Sequence, residues 1–124
     1  NNTTYGFIAQ VWNASNTIAT MYKLNCYITN YISFKKIYWE PIKDEMNYTI
    51  LENKRLKISQ LGKIPLFPDE AIDMLRFSIE IPNEMLNDFI QNASIELTLM
   101  FGNKTDKLSF TVKEHLERIK ECAQ

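Results

Sequence analysis

The sequence predicts an all-β protein, an antiparallel sandwich of about 7–8 short strands with a short C-terminal α-helix. Three observations carry this expectation. In one short segment after another, apolar and polar side chains alternate, the period of a half-buried strand. Asn, Ser, Gly and Pro punctuate those segments. A period of three to four residues dominates only at the tail, so the βαβ rhythm of a parallel sheet is missing. With 124 residues, 45% of them hydrophobic and 23% charged, the chain fits a single domain over 1–124 and can bury one core.

Taken in order, Tyr5 to Trp12 alternates with Phe7, Ala9 and Val11 on one face, and "NASN" at 13–16 supplies a turn. Tyr22, Leu24, Cys26 and Ile28 then form an apolar row, with Lys23, Asn25 and Thr29 opposite. "SFKKIYWEP", ending at Pro41, is β-branched and aromatic and reads as a third strand. Shorter candidates lie at Tyr48 to Leu51 and Leu56 to Ser59, followed by "GKIPLFPDE", whose prolines fit a connection only. Arg76 to Ile81 alternates until Pro82 stops it, and Met85, Leu86, Phe89 and Ile90 suit one or two helical turns. Ile95 to Phe101 and Leu108 to Val112 alternate on either side of "GNKT", which predicts a hairpin with a turn of about four residues. Val112, Leu116, Ile119 and Ala123 form one stripe of a terminal helix over 112–122, with Glu114–Arg118 and Lys113–Glu117 as charge pairs on its other side.

Two regions resemble bacterial and archaeal immunoglobulin-like β-sandwich domains of the accessory type. "WNASNTIAT" followed by "YKLNCYI" is similar to their strand, Asn/Ser-rich turn and strand. "IPLFPDEAIDMLRFSIEIP" and "LTLMFGNKTDKLSFTV" are similar to their proline-flanked late strand and final hairpin. The resemblance implies a non-catalytic sandwich of extracytoplasmic proteins. The chain departs from the antibody pattern in lacking a Cys…Trp…Cys arrangement and in carrying the tail "KEHLERIKECAQ".

The residues offer little for catalysis. His115 is the single histidine, on a charged helical face, and reads as solvated; pairing it with Cys122 as metal ligands lacks a third partner. Glycines at 6, 62 and 102 cannot build a phosphate loop, and Asp44–Glu45 and Asp69–Glu70 read as solvated loop charges. Cys26 and Cys122 match neither a zinc pattern nor a disulfide framework; Cys26 reads as a small core residue, with a Cys26–Cys122 pair as the alternative. No catalytic residue, metal or cofactor is expected.

Recognition is expected instead. Tyr27, Tyr38 and Trp39 are interface candidates, with Tyr31 and Phe34 near them in sequence, and an exposed edge strand offers pairing to a partner protein or a second copy. Asn-x-Ser/Thr triplets begin at Asn1, Asn2, Asn13, Asn47, Asn92 and Asn103, which predicts a glycosylated extracytoplasmic or cell-surface domain. A formal net charge of −1, mixed along the chain, argues against nucleic acid. No apolar run approaches the roughly 20 residues of a membrane span, and because the chain opens on Asn1 rather than Met, membrane attachment is expected only through an upstream anchor. The resulting expectation is a protein-binding or structural module of an envelope-associated protein such as an archaeal filament or stator component. Its rivals are a carbohydrate-binding domain or small sugar-acting enzyme using Trp12 and Trp39, and a cytoplasmic scaffold domain.

Overall fold

A computed structural model describes residues 1–30, 36–40, 46–51, 55–62 and 64–123, by backbone alone at 36–40, 46–51 and 123. Its strands are β1 (Asn2–Trp12), β2 (Tyr22–Thr29), β3 (Lys36–Glu40), β4 (Met46–Leu51), β5 (Arg55–Gly62), β6 (Ala71–Pro82), β7 (Ser94–Phe101) and β8 (Lys104–Thr111); its helices are α1 (Asn83–Asn92) and α2 (Val112–Ala123). All strand pairings are antiparallel. They form a three-stranded sheet in the order β1-β6-β3 and a five-stranded sheet in the order β4-β5-β2-β7-β8.

The two sheets face each other across one core. Tyr5, Ala9, Val11, Phe77, Ile79 and Ile81 contribute from the small sheet, and Tyr22, Leu24, Cys26, Ile28, Leu56, Ile58 and Ile95 from the large one. The alternation in the sequence is therefore the alternation between core and outside, as a β-sandwich requires. Neighbours in sequence are nevertheless split. β1 and β2 flank the "NASN" turn but lie in different sheets, because β1 pairs with β6 whereas β2 pairs with β5 and β7.

That crossover is fastened by Asn13. Its Nδ2 donates to the carbonyls of Thr17 and Leu66 at 2.8 and 2.9 Å, and its Oδ1 accepts from the backbone N–H and the hydroxyl of Ser15. An isolated antiparallel bridge, Ala19 to Leu66, ties the same crossover to the proline-bearing connection. In that connection Phe67-Pro68-Asp69-Glu70 closes with a Glu70 N–H to Phe67 carbonyl bond, with φ of 68° at Asp69. Pro second and a left-handed residue third are the features of a type II turn.

β6 is the middle strand of the small sheet and reaches further back than its alternating pattern. Opposite the Ala9–Gln10 step it carries one extra residue, Met74, and both Met74 and Leu75 turn into the core. This β-bulge breaks the period of two, which hides residues 71–75 from a reading based on alternation. β6 then passes straight into α1, a ten-residue helix rather than one or two turns, whose Phe89 is buried while Met85, Leu86 and Ile90 are half-buried against the core.

The β7–β8 hairpin turns on Gly102 and Asn103 alone, since Phe101 pairs with Lys104, so the turn is two residues rather than four. Gly102 has φ of 58°, the first-position geometry that glycine supplies in a type II′ turn. α2 begins on a capping box: the Thr111 hydroxyl accepts from the Glu114 N–H at 3.0 Å, and the Glu114 carboxylate accepts from the Thr111 backbone N–H at 3.4 Å. Val112 is fully buried and Leu116 packs on the core, but residues 117–122 are all exposed, Ile119 among them. The helix covers the core with its first turns only.

Phe77 sits on the central strand, 2% exposed, with Phe7 beside it at a ring-centroid distance of 5.3 Å. Truncating it leaves a cavity that flanking strands cannot fill, so Phe77→Ala is expected to cost about 3–5 kcal/mol, read as a lowered midpoint in urea unfolding.

Candidate functional site

The small sheet is too narrow to cover the large one, and the uncovered strip lies between β1 and β8. Both end their sheets, and among the described residues each is paired on one side only. On β7 and β8 the side chains turned toward the small sheet are Ile95, Leu97, Leu99 and Phe101, opposite Phe110, Leu108, Asp106 and Lys104 respectively. Burial falls steeply along this row: Ile95 is buried, Leu97, Leu99, Phe101 and Phe110 are half-buried, and Leu108 is 57% exposed.

Two adjoining hollows of about 450 and 330 Å³ result, sharing Val11, Leu99 and Asp106. Together they form a groove with β1 as one wall, β8 as the other and Leu97 and Leu99 as its floor. Its chemistry is graded. Toward Phe7, Leu108 and Phe110 the lining is apolar, whereas toward the hairpin tip Lys104 and Asp106 place charges beside Val11 and Trp12.

Each end of the groove carries a fixed aromatic group. Trp12 is 61% exposed, and its indole N–H donates to the Asp69 carboxylate at 3.2 Å, which places the ring at one mouth. At the other end Tyr5 reaches His115 of α2, with 2.7 Å between the hydroxyl oxygen and Nδ1. Burial raises the Tyr5 hydroxyl well above its ordinary pKa, with Cys26 adding to the effect, so the phenol stays protonated. The His115 ring also meets Tyr5 and Phe7 edge-on and packs against Phe110.

His115 is therefore not the solvated residue of a charged face that its sequence surroundings suggest. It is half-buried in an aromatic cluster that joins α2 to β1. Burial, and then the nearby Arg118 guanidinium, hold its imidazole below the ordinary value of 6.5. Its sequence neighbours Lys113, Glu114, Glu117 and Arg118 are exposed, and the signal that could have separated it from them is its position between Val112 and Leu116.

Both cysteines are free, Cys26 in the core and Cys122 exposed on α2. Burial pushes the Cys26 thiol up to about 12, which leaves it un-ionised and unreactive at neutral pH. Among the described residues no group of three or more His, Cys, Asp or Glu gathers to hold a metal, and no helix is long and apolar enough to cross a membrane.

The sequence-predicted site residues are scattered. Tyr27 lies on the outer face of the large sheet, where the Arg55 guanidinium stands 4.3 Å from its ring centroid and Arg55 in turn pairs with Glu96. A cation thus covers one ring face. Tyr38 and Trp39 are placed by backbone alone, on edge strand β3 opposite Ser78 and Phe77. Their side chains, like Tyr31, Phe34 and Asp44–Glu45, lie outside the described residues.

Of the sequons, Asn1, Asn2, Asn92 and Asn103 are exposed, with Asn103 at the hairpin tip and Asn92 donating to Asp88 at 2.6 Å. Asn47 lies on β4 by backbone alone. Asn13 departs from the expectation. It is 7% exposed and its Nδ2, the atom a glycan would occupy, holds two backbone carbonyls. Its "NAS" triplet serves as an Asx turn, so Asn13 does not present an acceptor in this fold.

Compared with family models, curated proteins and solved structures, the chain matches none of them.

The Tyr5–His115 contact carries a pH dependence. Because the folded imidazole lies below 6.5, the unfolded chain binds that proton more readily, so the stability from the contact is full above about 6.5 and is lost as pH falls toward the folded value. The urea midpoint is expected to drop between about pH 7.5 and 5.5, and to drop less in His115→Gln.

Proposed function

We propose that this chain is a non-catalytic binding module that recognises another protein through the groove between β1 and β8. The observation that carries the reading is the graded exposure of Leu97, Leu99 and Leu108. These are apolar side chains on the core-facing side of a sheet, left open along one flank, and they adjoin a strand edge that has no partner among the described residues. Contiguous apolar surface of this kind, rimmed by Lys104, Asp106 and Lys107, has the composition of a protein interface: an apolar centre and a polar rim.

The immunoglobulin-like resemblance supports the same class of role at the level of architecture, with a sandwich as a rigid support for recognition. The strand order differs from the constant-type arrangement, in which strand A shares a sheet with B, E and D, since here β1 pairs with β6 and β2 lies in the other sheet. An extracytoplasmic setting, such as the envelope of an archaeal or bacterial cell, is supported by exposed sequons at Asn2, Asn92 and Asn103. Intact-mass and peptide spectra of protein isolated from its source are expected to show a glycan at Asn92 or Asn103 and none at Asn13; unmodified peptides over all the sequons would remove this setting and favour the cytoplasmic scaffold.

A second reading, sugar binding, is favoured by Trp12, whose ring is held by Asp69 and open to solvent. Photo-crosslinking separates the two. A crosslinking amino acid at Leu108 is expected to give a discrete protein adduct in source cells, and one at Glu117, on the exposed part of α2, is not. No protein adduct at Leu108, together with quenching of Trp12 emission by oligosaccharides, would replace protein recognition with sugar binding.

A further inference from the structure

Resting on the reading of the groove as a protein-binding site, we infer that its occupant is a single extended segment of a partner polypeptide, which adds to β1 as a further strand of the three-stranded sheet.

The shape of the uncovered strip gives the first argument. A three-stranded sheet facing a five-stranded one leaves a deficit of two strands, and strands stand about 4.8 Å apart. The small sheet's other end, β3, lies across β6 from β1, so the missing width on this flank adjoins β1. A strand hydrogen-bonded there faces β7 and β8 and covers Leu97, Leu99 and Leu108.

Charge gives the second. β1 runs from Asn2 to Trp12 without one charged residue and without proline. Natural edge strands are usually guarded by lysine, proline or a bulge of their own, and here the bulge belongs to β6. β8 is guarded in the usual way, by Lys104 and Asp106 turned toward the groove and by Lys107 beside them. Among the described residues, the open backbone of β1 is thus the edge left available for pairing.

Sterics exclude the most obvious occupant, a second copy. The β1 of another molecule arrives with β6 bonded to it and with its own β7–β8 hairpin lying across the core from it. That hairpin would enter the space this molecule's β8 already fills. The overhang of β8 admits a lone strand and rejects a sheet, which makes the incoming segment one that is extended or unfolded before it binds.

The lining specifies its pattern. Between the His115–Tyr5 contact and Trp12 the groove follows Phe7 to Val11, so about five residues fit. Alternate side chains facing Leu97, Leu99 and Leu108 are apolar, and the residue nearest Lys104 and Asp106 is polar or charged.

The test uses the whole chain and a short synthetic peptide that alternates isoleucine with threonine between terminal lysines, followed by NMR. Expected are shifts of the Leu97, Leu99 and Leu108 methyls together with exchange slowed about tenfold at alternate amides of Phe7 to Val11. A peptide with proline at its centre, which cannot complete the ladder, is expected to produce neither, and Leu108→Asp, a change at an exposed position, is expected to weaken binding at least tenfold while leaving the spectrum folded. Methyl shifts without slowed β1 amides overturn strand addition but leave the groove a protein-binding site. Absence of both changes at saturating peptide overturns the inference, even where Leu108 crosslinks to a protein in cells. A concentration-dependent dimer in sedimentation, dissolved by Leu108→Asp, overturns it in favour of self-association.

Discussion

A sheet of three strands cannot shield one face of a sheet of five, and the rest of the molecule is arranged around that inequality. Where β6 and β1 lie across from β5 and β2, side chains such as Ile58, Cys26 and Phe77 are sealed off from water. Toward β8 the cover runs out. The helices compensate at one end only: α1 and the first turn of α2 pack against each other and against the strand ends, burying Phe89 and Val112. They leave the flank open, and Leu108 with it. Protein interiors close-pack because a void forfeits contact on one side. An uncovered strip next to a complete core is therefore a feature that another molecule can satisfy.

The strands were legible because alternation is a direct record of which side chains enter the core. Tyr22, Leu24, Cys26 and Ile28 read as one row and are one row. Alternation fails where geometry adds or removes a residue. The bulge at Met74 masks the first half of β6, and the tight Gly102–Asn103 turn looks longer because Lys104 and Thr105 are polar although they are already paired. Sheet membership is invisible to periodicity altogether, since a strand records its own inward face and not the neighbour it bonds. For that reason the separation of β1 from β2 into different sheets, and the groove that follows from it, had no signature in the sequence.

Single polar residues were read less well than apolar rows. Asn13 and His115 each sit among residues that look solvated, yet each is drawn inward by a partner distant in sequence. Asn13 is held by Leu66 and His115 by Tyr5. Buried polar groups are tolerated when hydrogen-bonded, and the bonds that make them tolerable cross the fold. Tyr27 shows the converse case. Its aromatic character suggested a contact surface, but register places Lys57 and Glu96 at its sides and Arg55 over its ring.

The pairing of β1 with β6 also bears on how the chain acquires its shape. Asn2 lies opposite Pro82 and Trp12 opposite Ala71, so β1 has no partner until the chain has been made as far as β6. Ladders between residues so far apart in sequence form slowly, because the intervening chain must lose its freedom before any bond rewards the loss. For that interval an uncharged, β-prone segment is exposed on both edges, the circumstance in which nascent chains most readily associate with one another. A folding helper has its most useful work at β1, in the interval before β6 emerges to pair with it.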